Sequence, residues 1–437
     1  MSLTAPDVLP NPWNVFNLQI SPFWQDALGA GDRLHPLSLF VGRGGELQRL
    51  LDGLYGAGPG TSRRAIAGRP GIGKTTLIKQ FKAQALAAGF LTVDQSVPIY
   101  ADDTNDSVFG RVLGSVYDTV LSNRPHTIDH PAMQAAQVLV RTTRERVRGG
   151  GLSMAGFGAS VSQGVASTVP SDVLIDGPRV LRDLMTLVQG SGAKGLLLHL
   201  NNLENLTETA AERAGQILRD LRDPMLMHNG LHVIIAGTQE AIQAAVMAHA
   251  QVRSVVSVMQ LEPLPLSDVH LLLEERYAYL RLDPTRPVIA PVAPDATATL
   301  YDLFRGDLRG LLEALDRGVT PNIGLPRSSI TVRGTTSGSI RPLTFEELRP
   351  TLQRHYDEQL GALDEEHHVK RLVAWGTTDP HTPQTQQTLS VLWDVKQSTV
   401  SLTLGYLTKH GYAMPLPREG RAAQQYILTG RSRLIFG

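Results

Sequence analysis

Cysteine is missing altogether, which rules out disulfides, thiolate catalysis and cysteine-ligated zinc. An excess of one charge is missing too: 41 Lys and Arg stand against 41 Asp and Glu. No global field therefore draws the chain onto nucleic acid or a membrane, and any such binding must come from a local patch. No apolar run approaches the length that spans a bilayer, and residues 1 to 12 lack the basic-then-apolar order of a signal peptide. A soluble, cytoplasmic protein with no membrane partner is expected. The 13 histidines show no metal-ligand spacing. His367-His368 follows Asp364-Glu365-Glu366 and reads as part of an acidic first helical turn, since neighbouring helical residues point about 100° apart. There is no internal repeat, and 437 residues make two to four domains the reasonable expectation.

What is present is most informative at one place. Gly68-Arg69-Pro70-Gly71-Ile72-Gly73-Lys74-Thr75-Thr76 fits the phosphate-loop pattern G-x-x-x-x-G-K-[ST] without a mismatch. Ala65-Ile66-Ala67 precedes it as a buried strand does, and Leu77, Ile78 and Phe81 come after it at helical spacing. Glycines let successive N–H groups and a helix N-terminus face phosphate oxygens. Lys74 is then placed to reach the β- and γ-phosphates, and the Thr75 hydroxyl to help hold Mg²⁺. A nucleoside triphosphate with Mg²⁺ is the expected cofactor, bound by Gly68, Pro70, Gly71, Ile72, Gly73, Lys74, Thr75 and Thr76.

Residues 1–39 are rich in Pro, Asn and Trp and read as an irregular strap packed on the rest of the chain. Residues 40–264 read as an α/β core. Strand-like runs at 64–67, 97–100, 195–200, 231–236 and 255–261 alternate with helical ones, the pattern of a parallel sheet with helices on both faces. Residues 122–177 interrupt that order. Arg141, Arg144, Arg146 and Arg148 form a basic stretch there, and the small-residue segment 149–168 is either a hairpin around Gly156-Phe157-Gly158 or a mobile insert. A helical lid is expected over 265–320, a Gly/Ser/Thr/Arg-rich linker over 321–342, and a winged helix domain over 343–437.

Several motifs succeed one another in an informative order: Phe40-Val41-Gly42-Arg43 with Glu46-Leu47, the apolar strand 195–200, the strand 231–236 leading to Thr238, Val252-Arg253-Ser254, and Gly306-Asp307-Leu308-Arg309. Over roughly residues 36–320 the chain resembles the AAA+ ATPases, in particular the branch of archaeal origin-recognition initiators and the related bacterial ATPases of signalling, transposition and defence. The resemblance implies a P-loop NTPase core whose preferred nucleotide is ATP. It implies that Val41 and Arg43 lie near the adenine, that Thr238 is the first sensor, and that Arg309 is the second sensor, on the lid. Arg253 would be an arginine finger that completes a neighbouring subunit's site in a homo-oligomer, a role worth about 10³ to 10⁵ in rate. A lid cation that feels the γ-phosphate couples its presence to the lid angle.

One departure matters more than any match. The family ends its second nucleotide motif with an aspartate that orients Mg²⁺ and an acid that aligns water; here Asn201-Asn202 stand in those places. An amide oxygen can hydrogen-bond a coordinated water but neither offsets the cation's charge nor accepts a proton at neutral pH. Glu204 either serves through an altered turn or is a surface acid outside the site. ATP binding with low intrinsic turnover is expected.

From residue 385 the order helix, turn, helix and hairpin resembles a winged helix-turn-helix. Val400, Leu404 and Leu407 would face its core, leaving Lys396, Gln397, Ser398, Thr399, Ser401 and Thr403 to meet a DNA groove, with Arg418 and Arg421 on the wing. The bases Lys396, Lys409, Arg418, Arg421, Arg431 and Arg433 outnumber the acids Asp394 and Glu419, which suits phosphate contacts. Leu402 either touches thymine methyl groups or marks a protein-binding unit. The leading reading is an ATP-controlled DNA-binding switch whose nucleotide state governs oligomerisation. A DNA-stimulated motor or loader using Glu204, and a signalling scaffold with a protein partner, are the alternatives.

Overall fold

The computed structural model describes residues 11–58, 60–151, 172–203, 206, 208–323, 340–416 and 422–437. Two compact units divide the chain: Arg43–Pro70 with Lys74–Glu262, and Met1–Gly42 with Gly71–Gly73 and Pro263–Gly437.

The first unit is built on β1 (Arg63–Ala67), β2 (Leu91–Thr92), β3 (Val97–Pro98), β4 (Leu196–Asn201), β5 (Leu231–Gly237) and β6 (Ser257–Gln260). All pair in parallel, in the order β2–β4–β5–β1–β6, with β3 also on β4. Leu91 lies opposite Leu196 and Val97 opposite Leu200, so β2 and β3 together make one interrupted edge strand. Its first half escapes sequence analysis because two residues carry no periodicity. β5 is buried at every position and β4 at all but its last, as strands covered on both faces require.

The helices of this unit are α1 (Gly44–Ala57), α2 (Lys74–Ala87), α3 (Asn105–Asn123), α4 (Pro131–Gly151), α5 (Asp172–Gly190), α6 (Glu208–Asp220) and the short α7 (Gln239–Ile242) and α8 (Ala250–Arg253). α4 and α5 occupy much of the stretch expected to interrupt the fold. They pack on α3, and Ala132, Met133, Ala136, Val140 and Val173 join the main apolar core. The basic stretch from Arg141 to Arg148 is helical. Beyond Gly151, the 149–168 hairpin or insert lies outside the described residues.

The second unit holds α9 (Leu266–Tyr279), α10 (Pro294–Leu303), α11 (Leu308–Ile323), α12 (Phe345–Gly361), α13 (Glu366–Thr378), β7 (Gln384–Thr385), α14 (Gln386–Trp393), α15 (Gln397–Lys409), β8 (Ala413–Pro415), β9 (Gln425–Leu428) and α16 (Gly430–Phe436). β7, β9 and β8 form an antiparallel sheet in that order, which with α13, α14 and α15 makes a winged helix. Val400, Leu404 and Leu407 are buried with Leu372, Trp375 and Leu389, the face that their spacing predicts. The fold is thus a P-loop-type parallel sheet, a helical lid and a C-terminal winged helix.

The strap packs on the lid helices. Trp13, Phe16, Leu18 and Phe23 share a core with Leu272, Leu300, Leu311 and Leu315. Asn17 donates through Nδ2 to the Asp283 and Arg286 carbonyls (3.0 and 2.9 Å) and accepts from the Asp283 N–H (2.9 Å). Arg276, 5% exposed, donates to the Pro22 and Trp24 carbonyls (2.9 and 3.0 Å) and stacks 4.1 Å from the Trp24 ring. Burial lowers its pKa to about 9, yet it stays charged at neutral pH. Arg276→Met keeps the apolar stem and strands both carbonyls, so urea unfolding of this unit should show a loss of about 3 kcal/mol. An unchanged midpoint would mean the strap is not anchored there.

Candidate nucleotide-binding site

The second half of β1 consists of small or branched residues because it runs between two neighbours: Ala65, Ile66 and Ala67 are fully buried. Its end is held from both sides, Gly68 N–H donating to the Gly237 carbonyl (3.2 Å) and Leu261 N–H to the Ala67 carbonyl (2.8 Å). The chain then turns through Gly71 (φ 80°) and Gly73 (φ 95°), a left-handed backbone that glycine adopts without a steric penalty. Ile72 is buried and anchors the loop, whereas Pro70 and Thr75 are exposed. Lys74 is buried, and its Nζ donates to the Gly68 and Arg69 carbonyls, both at 2.9 Å. Thr75 and Thr76 lie in the first turn of α2, which carries no acid, so the positive end of the helix is not offset. Glycine backbone, helix N-terminus and a held ammonium fit a polyphosphate.

Parallel register places the other expected residues at the same end of the sheet. Ala67 lies opposite Gly237 and Leu200 opposite Ile235, so Asn201, Asn202 and Thr238 follow the carboxyl ends of β4 and β5, where open α/β sheets take ligands. Asn201 closes β4 opposite Pro98. Asn202 is left-handed (φ 76°), and its Nδ2 donates to the Ile99 carbonyl (3.0 Å). Asparagine tolerates that backbone better than most residues, and a carboxylate has no proton to donate. The amide at position 202 therefore ties β4 to the edge strand. Thr238 Oγ1 accepts from Ala241 N–H (3.2 Å) and caps α7. Arg253 ends α8 exposed to solvent. Arg43, left-handed and buried, donates to Glu46 Oε1 (3.0 Å). Glu204 lies outside the described residues.

In the second unit, Val41 packs against the helical core. Asp307 caps α11 by accepting from Gly310 N–H (3.1 Å), and burial raises its pKa. Arg309 comes next in the first turn, exposed. Gly71, which belongs to this unit, has no room for a side chain: a Cβ there would collide with the Asp307 carboxylate and press on Arg309 Cβ. The segment Asp307–Arg309 thus lies against Gly71.

On the winged helix, Lys396, Gln397, Ser398 and Ser401 are exposed and Thr399 half-buried. Thr403 is not a groove-facing residue. It is fully buried, accepts from Arg371 (2.9 Å) and meets His368 Nδ1 (3.0 Å). Positions 400, 403, 404 and 407 fall on one helical stripe, and that stripe is the core side. The basic excess is also smaller than the sequence count, because Arg431 pairs with Glu313 and buried Arg433 donates to the Leu428 carbonyl (3.2 Å). Arg418 and Arg421 lie outside the described residues. Leu402 is 71% exposed. Among the described residues no helix is long and apolar enough to cross a membrane.

No protein-family model matches the chain, and no curated protein does. Solved structures do. The ORC2 protein of Aeropyrum pernix, in ADPNP and ADP complexes, aligns at 18% identity over 95% of this chain and 95% of that one, with a TM-score of 0.46. Cdc6p of Pyrobaculum aerophilum aligns at 14% identity over 90% and 93%, with a TM-score of 0.40. The ORC1 protein of Aeropyrum pernix in complex with DNA aligns at 14% identity over 99% and 97%, with a TM-score of 0.41. Over at least 90% of its length, the chain is similar to each of these ORC and Cdc6 proteins.

Proposed function

We propose that this protein is an ATP-binding switch of the AAA+ type whose nucleotide state controls self-assembly and the engagement of DNA by its winged helix. The observation that carries the reading is the pairing of a complete phosphate loop, with Lys74 held over it, and amides where carboxylates would drive hydrolysis. Lys74 and the α2 N-terminus would bind the phosphates, and Thr75 would hold Mg²⁺, which supplies charge neutralisation between the β- and γ-oxygens. Asn201 would bond a water on that ion but contribute no charge. Asn202 supports low turnover for a structural reason, since its side chain is committed to the Ile99 carbonyl. Arg309 would report the γ-phosphate to the lid, and exposed Arg253 is free of the burial that would stop it from reaching another subunit. On the winged helix, Lys396 to Ser401 would meet the duplex.

Single-turnover and steady-state ATP hydrolysis, with and without duplex DNA, tests this reading. Tight binding with negligible turnover in the wild type is expected, and Asn201→Asp should raise the rate. Asn202→Glu should instead lower stability by about 1–3 kcal/mol, because it sets a carboxylate against a carbonyl in left-handed backbone. DNA affinity should fall with salt, and Lys396→Ala should reduce the slope by about one. Rapid DNA-stimulated turnover that Glu204→Gln abolishes would make the protein a motor or loader and overturn the switch. A protein-binding scaffold is the second reading. It is favoured by Leu402 and Val391, 71% and 80% exposed on the winged helix, and salt-insensitive association without DNA affinity would establish it.

A further inference from the structure

We propose that Glu365, His367 and His368, at the start of α13, form a binding site for a divalent transition ion of the Zn²⁺ class. One ligand atom from each lies within 4.8 Å of the other two. Glu365 Oε2 stands 3.0 Å from His368 Nε2 and 3.6 Å from His367 Nε2. A tetrahedral ion with bonds of about 2.1 Å sets its ligand atoms about 3.4 Å apart, and both carboxylate–imidazole separations lie within a few tenths of an ångström of that spacing. The sequence argues against such a site, because adjacent helical residues diverge. Glu365 reverses that expectation: it precedes the helix with φ −106° and ψ 83°, and its carboxylate meets both rings, whose centroids are 3.9 Å apart.

The donor set and its support also point to a metal. Two imidazoles and a carboxylate suit Zn²⁺, Co²⁺ or Ni²⁺, whereas Mg²⁺ and Ca²⁺ prefer oxygen throughout. His368 is 6% exposed, and its Nδ1 lies 3.0 Å from Thr403 Oγ1, which also accepts from Arg371. With Nδ1–H donated to Thr403, the Nε2 lone pair faces Glu365, the outer-shell arrangement that orients metal-binding histidines. Glu365 and His367 are about half-exposed, which leaves a fourth position to water. An ion here would join the start of α13, through His368 and Thr403, to α15.

The test adds Co²⁺ and Zn²⁺ separately to the full-length protein. Co²⁺ should give the ligand-field absorption of a four-coordinate site, and Zn²⁺ should displace it and raise the unfolding midpoint. His367→Ala and Glu365→Gln, both at solvent-facing positions, each alter a direct ligand and should weaken Co²⁺ binding by about 100-fold or more, beyond the roughly 10–100-fold that losing an outer-shell partner costs. Circular dichroism verifies that both variants fold. Absence of ligand-field bands in the wild type would overturn the site, leaving a hydrogen-bonded cluster. Equal affinity in folded His367→Ala would overturn it too, since the ion would then bind other histidines.

Discussion

Lys74→Ala should weaken ATP binding by about 100-fold or more, read by calorimetry or by displacement of a fluorescent nucleotide. Charge-assisted hydrogen bonds contribute about 1.5–3 kcal/mol each, and one ammonium serving two phosphates accounts for about 3 kcal/mol, which is two orders of magnitude. The structure adds a second effect. Lys74 Nζ donates to the Gly68 and Arg69 carbonyls at 2.9 Å, so the alanine variant also leaves the loop without its internal tie. A thermal midpoint taken without nucleotide separates the two effects: a small drop with a large loss of affinity assigns the lysine to phosphate, whereas a large drop with unchanged affinity would show that it serves the loop alone. DNA binding and assembly that stayed unchanged with ATP in this variant would also count against the nucleotide switch.

Acid should destabilise the α/β unit well before its carboxylates titrate. His199 on β4 and His232 on β5 are both buried, and desolvation lowers their pKa values to about 3 and about 4. His232 has a further reason to stay neutral, because its Nδ1 accepts from Ser62 N–H (3.1 Å), a bond that protonation at Nδ1 would break. In the unfolded chain both rings titrate near 6.5, so between that value and the folded pKa the unfolded state binds more protons. The stabilisation is complete above pH 6.5 and is lost as pH falls towards 4 and 3. From pH 6.5 to 5 each ring removes about 1.6 kcal/mol, and together about 3 kcal/mol, a sizeable share of the roughly 5–15 kcal/mol that holds a domain folded. Urea midpoints measured against pH should show that slope, and His199→Leu should remove about half of it. A flat wild-type profile across this range would mean that the imidazoles gain their protons without leaving the fold.

The parts of this molecule legible in the sequence depend on covalent neighbours. The phosphate loop is one: a strand end, two glycines and a lysine within a few residues determine their own geometry, and the structure places them between β1 and α2. The buried runs of β4 and β5, and the core stripe Val400, Leu404 and Leu407 on α15, are others, because periodicity states which face is covered. The parallel sheet, the lid helices and the winged helix arise from such signals in order.

What only the tertiary structure decided depends on which segment lies across from which. Nothing near Asn17 announces that its side chain will bond the chain at Asp283 and Arg286. Asn202 reads as a lost acid until Ile99 is found within reach of its amide. Thr403 carries the chemistry of a groove-facing residue, yet it belongs to the core because Arg371 and His368 come to it from α13. His367 and His368 diverge on an ideal helix and converge here on the carboxylate of Glu365. Local sequence determined the elements and the phosphate loop, since backbone preference and periodicity act over a few residues; the roles of the polar side chains were decided by partners brought near in space, which no short-range pattern encodes.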